Sequence, residues 1–411
     1  VSPVIGANAV YGTSLTGTDS TVYALDKTTG AKIWETPFLG RRVFLHMALH
    51  DGVLYGVTEN NGTFDYYAFA INASTGAVLH KTLLNAEGDN VLRGAVTLVP
   101  NAFGSGKHGL YWATNGNFEF VMNGIEISTT GAAEKWLGGP VRTSSSNVIY
   151  NASKNVLYTY GWGDWGTTIR AYDPVTGLDL WTASRNKPDN DPNKINDNFN
   201  AGFYPTGAMK PDGSGFVLAG FGGEIYSFTD PGDISGLFLT TANMDWNYQP
   251  PKWLGESQCF APIVNDVANN RWVMFSATSA AQNPSWDPTL DVTRRVYAQD
   301  AKTGQRLWEW FMPADTTPYN GSFNARSIAV GPDGTLYFSM REGANQGKIF
   351  ALRAASAMTI SGKILLNDLD PSVKTARDIT VEVRKSSDDS LVETKTINVD
   401  ANDDYSFSTS A

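Results

Sequence analysis

The side chains able to do chemistry in this chain are few and scattered. Asp164, Asp197, Glu256 and Asp287 fall in polar connections, where a pair would suit acid and base roles on a glycosidic bond, but no spacing selects two of the four. Asp189, Asp191 and Asn193 in Asp189-Asn-Asp-Pro-Asn193 put oxygen ligands at alternate positions, as a calcium loop does. The glycine expected sixth is lacking and Asn200 stands where a bidentate acid belongs, so a solvated acidic loop is the preferred reading and Ca2+ the alternative. The histidines His46, His50, His80 and His108 show no metal-site spacing and read as surface or core residues. Cys259, the one cysteine, excludes an internal disulfide and any multi-thiolate zinc or iron–sulfur centre. No Gly-x-Ser-x-Gly elbow and no phosphate-cradling glycine loop occurs. The expectation is a chain with no catalytic residue and no cofactor.

Aromatic side chains are the stronger signal. Trp162, Trp165, Trp246, Tyr248, Trp253, Trp286 and Tyr319 fall on long connections, 161–168, 240–257, 277–294 and 313–324, alongside a further one at 184–201. Exposed indoles and phenols suit stacking on sugar rings or docking a protein partner, although mutual packing of the loops is the plainer reading for any single one.

The elements that carry these loops are strands. The 411 residues are 42% apolar and 12% aromatic, enough for a real core, and no apolar run reaches the ~18 residues of a membrane span. A net charge of −10 spread along the chain argues against nucleic-acid or anionic-membrane partners. A repeat runs through residues 1–355. Tyr23-Ala-Leu-Asp-Lys-Thr-Thr-Gly-Ala-Lys-Ile-Trp34 recurs as Ala171-Tyr-Asp-Pro-Val-Thr-Gly-Leu-Asp-Leu-Trp181 and Tyr297-Ala-Gln-Asp-Ala-Lys-Thr-Gly-Gln-Arg-Leu-Trp308. The markers are thus Asp26, Gly30 and Trp34, then Asp173, Gly177 and Trp181, then Asp300, Gly304 and Trp308. Weaker copies occupy 69–80 and 125–136, with His80 and Lys135 where Trp is expected, and a fifth at Ile225-Tyr-Ser-Phe-Thr-Asp-Pro-Gly has lost both spacing and Trp. Gly30, Gly76, Gly131 and Gly177 lie 46, 55 and 46 residues apart, the period of a four-stranded blade. In each copy the Asp caps turn N–H groups, the Gly accepts positive φ, and the Trp falls on the outer strand, where it can wedge between blades. Seven units in about 355 residues predict an all-β, seven-bladed β-propeller of four-stranded antiparallel blades. Short turns then gather on one face and the long connections on the other, which becomes the default binding surface.

The Ala-x-Asp-x-x-Thr-Gly-x-x-x-Trp pattern resembles the repeat of the pyrroloquinoline-quinone-like β-propellers. That resemblance implies the fold. The quinone enzymes similar in repeat usually have eight blades, a neighbouring cysteine pair and a calcium-carboxylate site, so a quinone-dependent dehydrogenase is disfavoured here.

The last blade supplies three strands, and its fourth is expected from upstream of Val1 or from another molecule. Residues 356–411 read as a second domain of four alternating strands, similar to immunoglobulin-like, carboxypeptidase-regulatory-type sandwiches of exported bacterial proteins. Four strands make an incomplete β-sandwich with an open edge, which invites strand addition. Val1 opens on a strand pattern without Met or leader, consistent with a mature or trimmed exported polypeptide. The expectation is a non-catalytic extracellular or cell-surface scaffold. Its partner would be itself, as oligomer or polymer, or another surface protein. The alternative is a carbohydrate-binding or carbohydrate-active propeller with a glycan partner.

Overall fold

The computed structural model describes residues 3–409 except 17–18, 39–46, 60–65, 85–90, 93–95, 116–119, 141–147, 164–165, 185–205, 220–224, 230–243, 249–261, 279–294, 312–327, 343–345, 354–357, 364–376, 385–390 and 400–403. The chain divides into two compact units, Val1–Ala351 and Leu352–Ala411.

The first unit is a seven-bladed β-propeller of antiparallel sheets. Blade 1 runs Val4–Ile5, Ala9–Thr16, Asp19–Asp26 and Lys32–Phe38, paired in that order. Blade 2 is Met47–His50, Val53–Glu59, Tyr66–Asn72 and Val78–Leu84. Blade 3 is Thr97–Val99, His108–Asn115, Phe120–Ile127 and Ala132–Pro140, with Val91–Leu92 added beside its second strand. Blade 4 is Ile149–Asn151, Val156–Gly163, Gly166–Tyr172 and Asp179–Ser184. Blade 5 is Thr206–Met209, Gly215–Ala219, Ile225–Thr229 and Met244–Tyr248, and blade 6 is Ile263–Asp266, Arg271–Thr278, Arg295–Asp300 and Arg306–Phe311. Blade 7 has three strands among the described residues, Ile328–Val330, Leu336–Glu342 and Gln346–Leu352. The first strand of each blade is the inner one. Val4–Ile5 lies against both Met47–His50 and Ile328–Val330, so blade 7 neighbours blade 1 and the ring is closed.

A single cross-strand row explains why the repeat keeps Ala, Asp, Gly and Trp. In blade 1 Tyr11 stands opposite Ala24, and Ala24 opposite Trp34; the rings of Tyr11 and Trp34 lie 5.9 Å apart across the small residue. Blade 3 repeats this as Tyr111–Gly124–Trp136, blade 4 as Tyr158–Ala171–Trp181 and blade 6 as Phe275–Ala298–Trp308, with ring separations of 5.6, 5.7 and 5.9 Å. A larger central residue would push the rings off the sheet. A Cβ on Gly124 would run into the ring of Trp136. Just beyond each row the outer strand shifts register by one residue, a bulge that tilts the Trp toward the next blade.

There the Trp meets the next blade's turn. Asp26 Oδ1 accepts the N–H groups of Thr28 (3.0 Å) and Thr29 (2.7 Å) and the Thr29 hydroxyl (2.9 Å), while Gly30, at φ +72°, closes the turn onto the Asp26 carbonyl. Asn72, Asp173 and Asp300 build equivalent turns. Trp34 Nε1 donates to the Ala73 carbonyl of blade 2 at 3.0 Å, and Trp136 Nε1 to the Pro174 carbonyl of blade 4 at 3.0 Å. Each indole also covers the turn glycine: a Cβ on Gly76 would lie 2.7 Å from Trp34, and one on Gly177 would collide with Trp136. Thr36 adds a hydroxyl bond to the Gly76 carbonyl. At about 25 cal/mol per Å2, an indole covering on the order of 200 Å2 contributes about 5 kcal/mol before entropy is counted.

One expectation is corrected here, and the His80 position is as expected. The indole of blade 3 is Trp136 rather than a residue displaced by Lys135, because the turn from Ser128 to Gly131 encloses two residues where that from Asp26 to Ala31 encloses four, the flanking strands run on, and Lys135 falls in the bulge. Blade 2 keeps the link with an imidazole: His80 Nε2 pairs with the Ser128 carbonyl at 2.9 Å.

The second unit contains two two-stranded antiparallel ladders, Met358–Lys363 with Asp404–Thr409 and Arg377–Arg384 with Leu391–Val399.

Gly30→Ala and Gly177→Ala separate backbone strain from the inter-blade contact. Both glycines have φ near +70°, but only Gly177 lies under an indole. The expected cost is about 1 kcal/mol for Gly30→Ala and about 1–3 kcal/mol more for Gly177→Ala, read from urea midpoints. Equal losses would show that the indole contributes no packing constraint.

Candidate functional site

The long-loop face is only partly described. Trp165, Trp253, Trp286 and Tyr319 lie outside the described residues, as do Asp189, Asp191, Asn193, Asp164, Asp197, Glu256, Asp287, His46 and Cys259. The three remaining aromatics belong to strands, not loops. Trp162 stands opposite Thr167 at the end of a hairpin that leaves only 164–165 between its strands, so the long connection expected at 161–168 is a tight turn. The strand Val156–Gly163 simply continues through Trp162. Trp246 and Tyr248 lie on the outer strand of blade 5. Trp246 faces Ser227 after the same register shift as the motif indoles, so the fifth copy has its Trp, set back by a longer connection at 230–243.

Blade 5 also holds a polar cluster that the sequence did not advertise. Lys210, with a side chain 7% exposed, donates to Asp245 Oδ2. Ser227 donates to the same oxygen at 3.0 Å, and Thr229 to Asp245 Oδ1 at 2.7 Å. Burial pushes the Asp245 carboxyl up, but the bonds from Lys210, Thr229 and Ser227 outweigh it and hold the group below its ordinary value. Asp245 occupies the bulge position next to Trp246. The cluster therefore ties the residue that follows the first strand to the third and outer strands of a blade without the Asp-x-x-Thr-Gly turn. The partners are far apart in the chain, which is why no local motif reveals them.

The histidines take structural places. His108 is buried against Tyr55 and His50, with ring centroids 5.3 and 4.9 Å away, and its Nδ1 accepts the Asn101 N–H at 3.1 Å. That bond requires Nδ1 unprotonated. Burial and then the neighbouring His50 lower the His108 pKa, partly offset by Asp51, so the ring is neutral near pH 7. Burial likewise lowers His80. The described carboxylates are similarly committed. Glu126 accepts from Lys135 and Lys107, Asp266 from Asn269 and Arg271, and Asp333 from the Thr335 N–H; all three sit below their ordinary values. Among the described residues no group of three or more His, Cys, Asp or Glu side chains is placed to hold a metal ion. None of the described helices is long and apolar enough to cross a membrane. What the described surface offers is a frame whose polar groups are spent on turns and blade contacts, with aliphatic side chains such as Ile33, Leu83 and Leu137 about half exposed along the outer strands.

Two outcomes test this arrangement. Lys210→Met should cost about 2 kcal/mol by leaving Asp245 without its cation, and Lys210→Met with Asp245→Asn should recover part of the loss in equilibrium unfolding. A cost for the double variant equal to the sum of the singles would show no coupling. Depressed carboxylates such as Asp26, held down first by the Thr29 N–H, stabilise the fold fully above the ordinary aspartate value of 3.8, and that contribution is lost as pH falls through the lower folded-state value. The urea midpoint should therefore fall in two stages, first below about pH 6.5, where His80 and His108 take up protons more readily in the unfolded chain, and again below about 4. A midpoint flat between pH 7 and 4 would show that the fold does not hold the two imidazoles neutral.

Comparison with known proteins follows the same lines. The family model described as outer membrane protein assembly factor BamB matches residues 3–116 and 166–381. Among solved structures, the Cps50 (Swd1) β-propeller domain of Myceliophteria thermophila superposes with a TM-score of 0.51 at 11% identity, covering 85% of this chain and 99% of that one. The Dos1 propeller gives 0.50 at 10% identity, covering 84% and 74%. Quinohemoprotein alcohol dehydrogenase from Comamonas testosteroni gives 0.48 at 14% identity, covering 90% and 77%. At these identities the first two likenesses concern the fold alone. No protein of curated function matches the chain in sequence.

Proposed function

Because the chain belongs to the family of the outer membrane protein assembly factor BamB, we propose that it works as a non-catalytic binding scaffold, exported to the cell surface or beyond, that takes no cofactor. The observation that carries this reading is the commitment of the described polar groups. Asp26, Asn72, Asp245, Glu126, His80 and His108 all hold turns or blades in place, and such a frame presents surface rather than reactive groups. The name of the family's model supports a location outside the cytoplasm. In this reading residues 356–411 are part of an immunoglobulin-like sandwich. Their two separate two-stranded ladders leave strand edges to which a neighbouring molecule adds a strand, linking copies of the chain into a surface structure or filament.

Sedimentation velocity and negative-stain microscopy of the full chain test the proposal. The expected outcome is concentration-dependent assembly into dimers or short polymers, with no absorbance change and no alcohol oxidation when pyrroloquinoline quinone and Ca2+ are added. A strictly monomeric chain up to about 100 μM would remove the assembly role, and saturable quinone binding with dye-linked turnover would replace the scaffold with an enzyme.

A further inference from the structure

Three features around the seam between blades 7 and 1 depart from the rest of the ring, and they do so together. First, Trp308 of blade 6 packs on Phe275 like the other motif indoles, yet it is 40% exposed where Trp181 is 6%. Trp34 and Trp136 rest on the next blade's Asx turn, whereas blade 7 has Arg353 where that turn's Asp or Asn would stand. Second, Ala351 corresponds to the small central residue of the cross-strand row. Its counterparts Ala24, Ala70, Ala171 and Ala298 are 0% exposed beneath an outer strand, while Ala351 is exposed. Third, the blade 1 turn lies open: a Cβ on Gly30 would meet nothing within 4 Å, unlike Gly76 and Gly177 beneath their indoles. Gly131 is open too, but there the smaller imidazole of His80 replaces the indole. Ring closure puts these features side by side, with Lys27 of the blade 1 turn close enough to Asp333 of blade 7 to help hold its carboxyl down.

We propose that the outer edge of Gln346–Leu352 is a receptor for an extended segment of a partner polypeptide, antiparallel to that strand and carrying a tryptophan four residues after a turn glycine. The strand pairs with the edge. Its indole lies over Ala351 and reaches the blade 1 turn at Gly30, and its leading turn covers Trp308. Sequence and geometry dictate this occupant, because outer strands and their turns make each of these contacts elsewhere in the ring: Trp34 lies over Ala24 and reaches the Gly76 turn, and the Asp173 turn receives Trp136. The described strands of this chain do not supply it: each outer strand of blades 1 to 6 is paired in its own blade, and the four strands of Leu352–Ala411 pair with one another. The proposal rests on the scaffold reading and names the chemistry of one partner.

The probe is a synthetic peptide with the sequence of residues 26–38, titrated into the full chain and followed by calorimetry and amide hydrogen exchange. The expected result is saturable binding, with Kd on the order of 10 μM, and slower exchange confined to Gln346–Leu352 and the Gly30 turn. Replacing the peptide's Trp by Ala should weaken binding at least tenfold. Ala351→Asp in the receptor should do the same with an unchanged Tm, since the site is exposed. Absence of binding, binding indifferent to the peptide's Trp, or a Tm loss on Ala351→Asp would overturn the proposal. So would a free chain in which the edge amides are already as protected as those of Arg295–Asp300. A monomeric chain that takes the peptide would sink only the assembly role, and an assembling chain that ignores it would sink only this edge.

Discussion

Blades 1 to 4 are joined by one recurring contact: an outer-strand aromatic of one blade seated on the turn of the next. A four-stranded antiparallel sheet has no intrinsic reason to stand beside a second one. The Trp34 and Trp136 indoles supply that reason twice over, through apolar area and through an N–H that must find an acceptor when covered. The acceptor is a backbone carbonyl fixed by an Asx turn, so its position does not depend on a flexible side chain. Blades 1 and 3 therefore read the geometry of the next blade's turn. The bulge before the Trp is what aims the ring across the gap.

This contact constrains positions that seem unrelated in sequence. The central residue must be small because two rings close over it, as at Ala24 and Gly124. The turn glycine needs positive φ to end the turn, and under an indole it also needs to lack a side chain. His80 shows how far the rule bends. An imidazole keeps the hydrogen bond to a turn carbonyl while giving up much of the area, and the turn that receives it is shorter. Blade 5 bends further: it gives up the turn and uses the Lys210–Asp245 cluster to hold its strands in register.

What was legible in the sequence follows from these distances along the chain. The Asp-x-x-Thr-Gly-x-x-x-Trp signal is local, so blade number, turn chemistry and the outer-strand position of the indoles could be read directly. Trp136 was obscured by a turn two residues shorter between longer strands, which moves the indole against a fixed count. Trp246 was taken for a loop residue because 230–243 separates it from its third strand, and only strand register restores its place. Lys210 and Asp245 stand 35 residues apart, and nothing near either announces the other. Candidate site residues suffered most. Loop aromatics have no periodicity to anchor them, and those the structure does place, Trp162 and Trp246, turn out to continue strands.

A ring closed by identical contacts would have no weak point, and a scaffold gains little from one. Here the contacts are not identical. Between blades 7 and 1 the inner strands Val4–Ile5 and Ile328–Val330 still meet, and Lys27 still lies near Asp333, but no described outer-strand indole bridges the two. Among the described residues the seam thus keeps its inner closure and lacks its outer one. Local opening costs least where buried apolar contacts are fewest, so sub-global unfolding of the ring should begin with blade 7 rather than with blades 2 to 4, whose cores are continuous. The edge left at that seam is polar backbone flanked by an exposed indole and an exposed alanine. Such an edge either finds a strand or becomes the place where the fold is least protected.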